Sequence, residues 1–302
     1  MAKKHFRCDK VEDIQAKTLL VVVVALVAVF VSGCTEEGDT LETTKGEVSI
    51  GYVLWDGEIA STNVLRQVYE RAGYKVDIIA VDAGPLYQAL ANGEFDLTVS
   101  SWLPETQKNY WEIYKDEIDY VGPNLEGCRV GLVVPAYVTI DSIEELNGFR
   151  DEFDGEIVGI DPGAGIMQNT EDAIEMYDLD YVLESSSGAG MASALKRAIG
   201  NGDWIVVTLW SPHWAFNRWD LKYLTDPLKA YGTGDNATTL ARMGLEEEKP
   251  GVYAIAERFH WTQEDISSVM MDIENGMPED EAASKWISNN PEKVEYWIEG
   301  EV

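Results

Sequence analysis

The 302-residue sequence is poor in cysteine, histidine and basic side chains, and each shortage excludes a class of function. Its three Cys and three His fall in no paired spacing, which leaves no zinc-like ligand set. Lys and Arg number 23 against 54 Asp and Glu, a formal net charge of −31. A face that binds phosphates needs clustered cations, and no basic stripe occurs, so nucleic acid is not an expected partner. Neither a G-x-S-x-G elbow nor a Gly-Lys-Ser/Thr phosphate loop is present. The longest apolar run, LLVVVVALVAVFV at 19–31, falls short of the about 20 residues that span a bilayer.

That run has a basic lead (Lys3, Lys4, Arg7, Lys10, Lys17) and ends in Val31-Ser32-Gly33-Cys34. Basic lead, short apolar core and small-residue site together predict a signal peptide over 1–33. The site resembles the lipobox of exported lipoproteins, which implies lipidation of Cys34 after cleavage and a lipid anchor on the outer face of the cell membrane. A short membrane anchor with an incidental Cys is the alternative. In either case the globular part is exported and tethered. Loss of 1–33 removes five basic and three acidic residues and Cys8, so the remainder is more acidic still. With Cys34 lipidated, only Cys128 remains and no intrachain disulfide is possible. Residues 34–46 are polar and acidic and predict a flexible tether.

From residue 47 short β-rich runs alternate with helical patterns. Strands are expected at 48–55, 76–81, 96–102, 129–134, 156–160 and 204–209. Helices are expected at 59–72, 85–92, 106–114, 143–146, 169–177 and 191–199. Ser211-Pro212 carries the start signature of a further helix. After residue 236 come a run at 238–243 and helices at 251–258, 263–275 and 278–289. Such alternation predicts an α/β fold with largely parallel strands.

Tryptophan is the residue in excess, with ten copies, three of them within TLWSPHWAFNRW at 208–219. A core, a stacking surface for nucleic acid and a cage for a cation are the three readings, and the acidic charge removes the second. Trp55, Trp102 and Trp210 fall at the carboxyl ends of expected strands, the edge at which open α/β sheets bind ligands. Ordinary burial is the alternative for each. Trp111, Trp204, Trp261, Trp286 and Trp297 are assigned to the core, and Trp214 and Trp219 to packing on the helix after Pro212. Several indole faces around a quaternary ammonium supply cation–π attraction of ~0.5–2 kcal/mol each. The loop Asp161-Pro162-Gly163-Ala164-Gly165-Ile166-Met167 leads from a strand into a helix and leaves N–H groups free for a carboxylate or phosphate. With the cage, it suggests a zwitterion carrying a quaternary ammonium and a carboxylate. A plain turn is the alternative for the loop.

The segments LWDGEIASTNV (54–64), DAGPLYQALANGEFDLTVSSWLPETQKNYW (82–111), GPNLEGCRVGLVVPAYV (122–138), GIDPGAGIM (159–167) and LWSPHW (209–214) resemble the glycine betaine-binding proteins of ABC-type osmoprotectant importers. The resemblance runs from about Gly46 to Trp297. It implies a two-lobed, type II periplasmic-binding-protein-like α/β fold with the ligand cleft between lobes. Lobe one would be 47–136 plus 238–302, and lobe two 137–237. Trp55, Trp102 and Trp210 would occupy the prism around the trimethylammonium, and the amides of Gly165 and Ile166 would hold the carboxylate. The implied partners are a small zwitterion, glycine betaine, and the permease and ATPase subunits of an importer, with no cofactor and no metal. Some relatives carry a His five residues after the second prism Trp; here that position is Gln107, so a contact made through that His is in question. Asp56 is read as a helix-entry residue, with a choline-hydroxyl contact as the alternative. A choline- or carnitine-binding protein of the same type is the runner-up, and a structural lipoprotein the reading from another class. His213 and His260 have no nucleophile or metal partner at a working spacing, so no catalytic residue is assigned.

Overall fold

Val48 and Ile50 are buried while Glu47, Ser49 and Tyr52 are more exposed, and Glu47–Tyr52 forms a strand, β1. Lys75–Ala80 (β2) and Leu97–Leu103 (β3) run parallel to it on either side. The crossovers are helices Asp56–Arg71 (α1) and Ala83–Ala91 (α2). The computed structural model describes residues 44–300; the expected signal peptide, Cys34 and the tether up to residue 43 lie outside the described residues.

The 18-residue strand Ile118–Pro135 (β4) determines the architecture. Its first part pairs antiparallel with Asp235–Arg242 (β9), which is itself antiparallel to β3, and the last pair is Cys128 with Asp235. From Arg129 onward β4 pairs instead with Val207–Ser211 (β7) and Leu221–Tyr223 (β8). Glu156–Val158 (β5) and Val182–Glu184 (β6) extend that second sheet in parallel. The order is β2-β1-β3-β9-β4-β7-β5-β6, with β4 shared by two sheets. The expectation of largely parallel strands is thus corrected, because β4 and β9 both run against their neighbours. The strand expected at 129–134 is only the second half of β4. Gly122, Pro123 and Gly127 read as a break, yet register shifts within the β4–β9 ladder absorb them.

Lys108–Tyr114 (α3) packs beside α2; the 3₁₀ segment Ile143–Phe153 and helices Gly165–Met176 (α4), Gly188–Asn201 (α5) and Ala215–Arg218 (α6) belong to the part of the chain that forms the second sheet. Ser211 does not open a helix. It pairs with Arg129 as the last residue of β7, so its backbone is extended, and α6 begins only after Trp214. Leu245–Glu248 (α7) and Pro250–Arg258 (α8) follow β9. Helices Gln263–Glu274 (α9), Glu279–Asn289 (α10) and Pro291–Glu299 (α11) then pack back on α1. The sequence reading omitted α11, because Asn290-Pro291 reads as a stop; Pro291 instead takes the first helical position. Trp286 stacks on Trp297 at 5.5 Å and Phe259 meets Trp297 at 4.8 Å, so α1 is backed by an aromatic core. Trp261 is buried there too, although in a connecting segment rather than an element, as is half-buried Trp204 beside Phe149 and Phe153. Among the described residues no helix is long and apolar enough to cross a membrane.

Candidate functional site

A small cavity of about 40 Å³ lies where the two sheets face each other, and Trp55, Trp102, Trp210, Gly165 and Ile166 all line it. Each arrives by a different local route. Trp102 is on β3, and Trp210 is inside β7, paired with Val130. Trp55 does not end a strand as expected: β1 stops at Tyr52, and Trp55 is the extended N-cap of α1. Trp210 is nearly buried, whereas Trp55 and Trp102 are half-buried. Gly165 and Ile166 are not loop residues either. Helix α4 begins at Gly165, four residues before its expected start, so these two amides are its first-turn N–H groups. Ala164 supplies no side-chain cap, and among the described residues neither N–H meets a backbone acceptor. They are thus orphan donors at the positive end of a 12-residue helix.

Several contacts bridge the sheets beside the cavity. Trp55 Nε1 donates to Asp161 Oδ2 at 3.2 Å, and the Tyr110 hydroxyl donates to the Gly163 carbonyl at 2.8 Å. The Thr106 carbonyl lies against the Cα of Gly165, where a Cβ would sit 2.7 Å from the Thr106 carbonyl carbon. Thr106 is fixed in turn by Asp235, whose carboxylate accepts from the amides of Glu105 and Thr106 and from the Thr106 hydroxyl at 2.6 Å. Neither Thr106 nor Asp161 was found by sequence reasoning, since a Thr after a Glu and an Asp before a Pro carry no distinguishing pattern.

His213 has a role that the sequence left open. Its Nδ1 accepts from the Ala215 amide at 3.1 Å, so the ring N–H is on Nε2. That Nε2 stands 3.3 Å from Asp56 Oδ2, too poorly aligned for a directed hydrogen bond. The ring edge meets Trp210 at 4.8 Å between centroids and so braces one cavity wall. Asp56 also accepts from Trp214 Nε1 at 2.9 Å. Burial alone would raise the Asp56 carboxyl, but His213 and the Trp214 N–H outweigh it and hold it below the ordinary carboxylate value. A lowered folded value means that this link holds above the ordinary value of 3.8 and is lost as pH falls below it. Asp56→Ala is expected to weaken ligand binding several-fold and to enlarge the radius of gyration of the liganded protein in X-ray scattering. An unchanged affinity and radius would remove Asp56 from the bridging set.

Two polar side chains complete the lining. Gln107 is 2% exposed; its Oε1 accepts from the Trp102 amide at 2.7 Å and from the Tyr87 hydroxyl at 3.3 Å. Those two donors fix the amide's orientation and leave Nε2 as the free donor. Glu58, also 2% exposed, accepts from the Val53 amide through Oε2 at 2.7 Å, while its Oε1 has no partner. Burial pushes its carboxyl up to about 8, with only the Val53 N–H acting the other way. Among the described residues no group of His, Cys, Asp and Glu could hold a metal ion.

Residues 46–289 match the family model for the substrate-binding domain of ABC-type glycine betaine transport systems. The chain belongs to this family. It is similar to a glycine betaine/carnitine transport binding protein of Listeria monocytogenes, with 46% identity over 165 residues, 54% of this chain and 55% of that relative. The match thus spans about half of that relative's length. A crystal structure of lactococcal OpuAC, closed and complexed with glycine betaine, superposes with a TM-score of 0.82 at 42% identity, covering 84% of this chain and all of that one. An ABC-transporter choline-binding protein in complex with choline gives a TM-score of 0.80 at 27% identity, over 84% of this chain and 92% of that one. The fold is accordingly the two-lobed α/β fold of this family of binding proteins, and the chain is a binding component rather than an enzyme.

Proposed function

We propose that this protein captures glycine betaine between two lobes and hands it to an ABC importer. The observation that carries the reading is one cavity lined by three indoles and by the two orphan amides that open α4. Trp55, Trp102 and Trp210 enclose the trimethylammonium, whose charge spread over methyl groups can be met by π faces but not by hydrogen bonds. The amides of Gly165 and Ile166 hold the carboxylate, and Gln107 Nε2 offers a third, uncharged donor. Lobe one comprises 47–136 plus 238–302 and lobe two 137–237; the strand pairing supports a changeover on β4 slightly earlier, at Cys128 and Arg129. The polar bridges between the sheets form only when the lobes are shut, so ligand and bridges stabilise the same state. Export by the signal peptide, anchoring through a lipid on Cys34 at the outer face of the membrane, and delivery to separate permease and ATPase chains complete the reading.

Choline is the runner-up ligand. It lacks the carboxylate that the α4 amides would hold, and Asp56 is engaged by His213 and Trp214 rather than free for a hydroxyl. In a competitive titration followed by intrinsic Trp fluorescence, glycine betaine and proline betaine are expected to bind more tightly than choline, with carnitine between them. The reverse order would withdraw the carboxylate role from Gly165 and Ile166. No fluorescence response to any of the four would favour a structural lipoprotein.

A further inference from the structure

Among the described residues Glu58 is the single ionisable side chain in the cavity lining. It lies in the first turn of α1, three residues after Trp55, and lines the same cavity as the α4 amides. One oxygen is held by the Val53 N–H; the other is buried and meets no donor. A buried oxygen without a partner is unstable as an anion and carries the proton while the cavity is empty. A quaternary ammonium in the indole cage would bring a full positive charge next to it without a hydrogen atom to donate. Resting on the reading above, we propose that Glu58 ionises when a quaternary ammonium enters the cage, so that capture releases one proton. The Oε1–H bond breaks, its electron pair stays on the carboxylate, and the proton passes to the buffer.

The surroundings leave that task to the ligand. On α1 itself, Asp56 is turned to His213 and Trp214 in the turn between β7 and α6. Across the cavity, Asp161 is held by Trp55 Nε1, and Asp235 by the Glu105 and Thr106 amides. From α2 the Tyr87 hydroxyl is buried and bonded to Ser101 and Gln107, and brings no charge. No charged side chain of the strands or helices packed on α1 offsets the burial of Glu58. The N-terminal position on α1 adds a modest field that favours the anion once the ligand arrives.

The sign follows from the direction of the shift. The empty protein holds the proton below about pH 8, and the liganded protein gives it up, so affinity falls as pH drops below that value, approaching about tenfold per unit. Calorimetry of glycine betaine binding at pH 7, in buffers of different ionisation enthalpy, is the test. Release of close to one proton per ligand, lost in Glu58→Gln and kept in Trp55→Ala at its lower affinity, is the expected result. Normal binding by the wild-type protein with no proton exchange, or with uptake, overturns the proposal. Release that persists in Glu58→Gln also overturns it, since another group would then be the source. The wild-type measurement needs no variant to fold. Absence of binding by any quaternary ammonium would instead remove the function on which the proposal rests.

Discussion

Gly165→Ala is expected to lower betaine affinity by about a hundredfold or more while leaving the melting temperature of the ligand-free protein unchanged or slightly raised. The added methyl group has no conformational cost. Gly165 opens α4 in ordinary helical backbone, and Ala is the better helix former by roughly 0.5–1 kcal/mol. The penalty comes from across the gap, where the Cβ would run into the backbone carbonyl of Thr106. Backbone cannot swing aside as a side-chain tip can, and Thr106 is doubly held by Asp235. The lobes would therefore stop short of contact, and a hundredfold loss, about 2.7 kcal/mol, lies within the usual 1–3 kcal/mol cost of overpacking a fitted interior. Calorimetry and a thermal melt suffice. Wild-type affinity in Gly165→Ala would show that capture does not need this approach.

Trp55→Ala and Trp210→Ala are each expected to weaken betaine binding at least about tenfold, the loss of one cation–π face of about 1.4 kcal/mol or more. The two differ in what else they disturb. Trp55 is half-buried at a helix entrance, so its removal acts on the ligand and on the bond to Asp161, with little effect on the fold. Trp210 is buried within β7 and braced by His213, so its truncation also opens a core cavity, at a stability cost of about 3–5 kcal/mol. Thermal melts should therefore separate the variants while calorimetry ranks them together. Retained wild-type affinity in both would defeat the cage.

What the sequence made legible was composition and order rather than closure. The α/β alternation, most strands to within a few residues, and the tryptophans that reach the cavity could be read because each rests on local periodicity and on the rule that ligands meet strand ends. Trp55 lines the cavity as a helix cap rather than from the strand end expected of it. The first half of β4 stayed hidden because its glycines and proline mimic a turn, and only its partner β9, more than a hundred residues away, makes it a strand. Helix α4 started earlier than expected because glycine weighs against helix everywhere, including a first turn that must admit another backbone. Thr106, Asp161 and Glu58 acquire meaning from what stands opposite them, which a single sequence does not record.

Asp235 sits opposite Cys128 at the last rung before β4 changes sheets, and the same residue grips the turn that presents Thr106 to Gly165. In the proposed closure, with the changeover on β4 as its pivot, pivot and jaw would be wired through one carboxylate. A small change of angle at the pivot cannot be absorbed by slack in the turn and is delivered to the mouth as travel, so opening should proceed as a single stroke rather than as independent loosening of the rim.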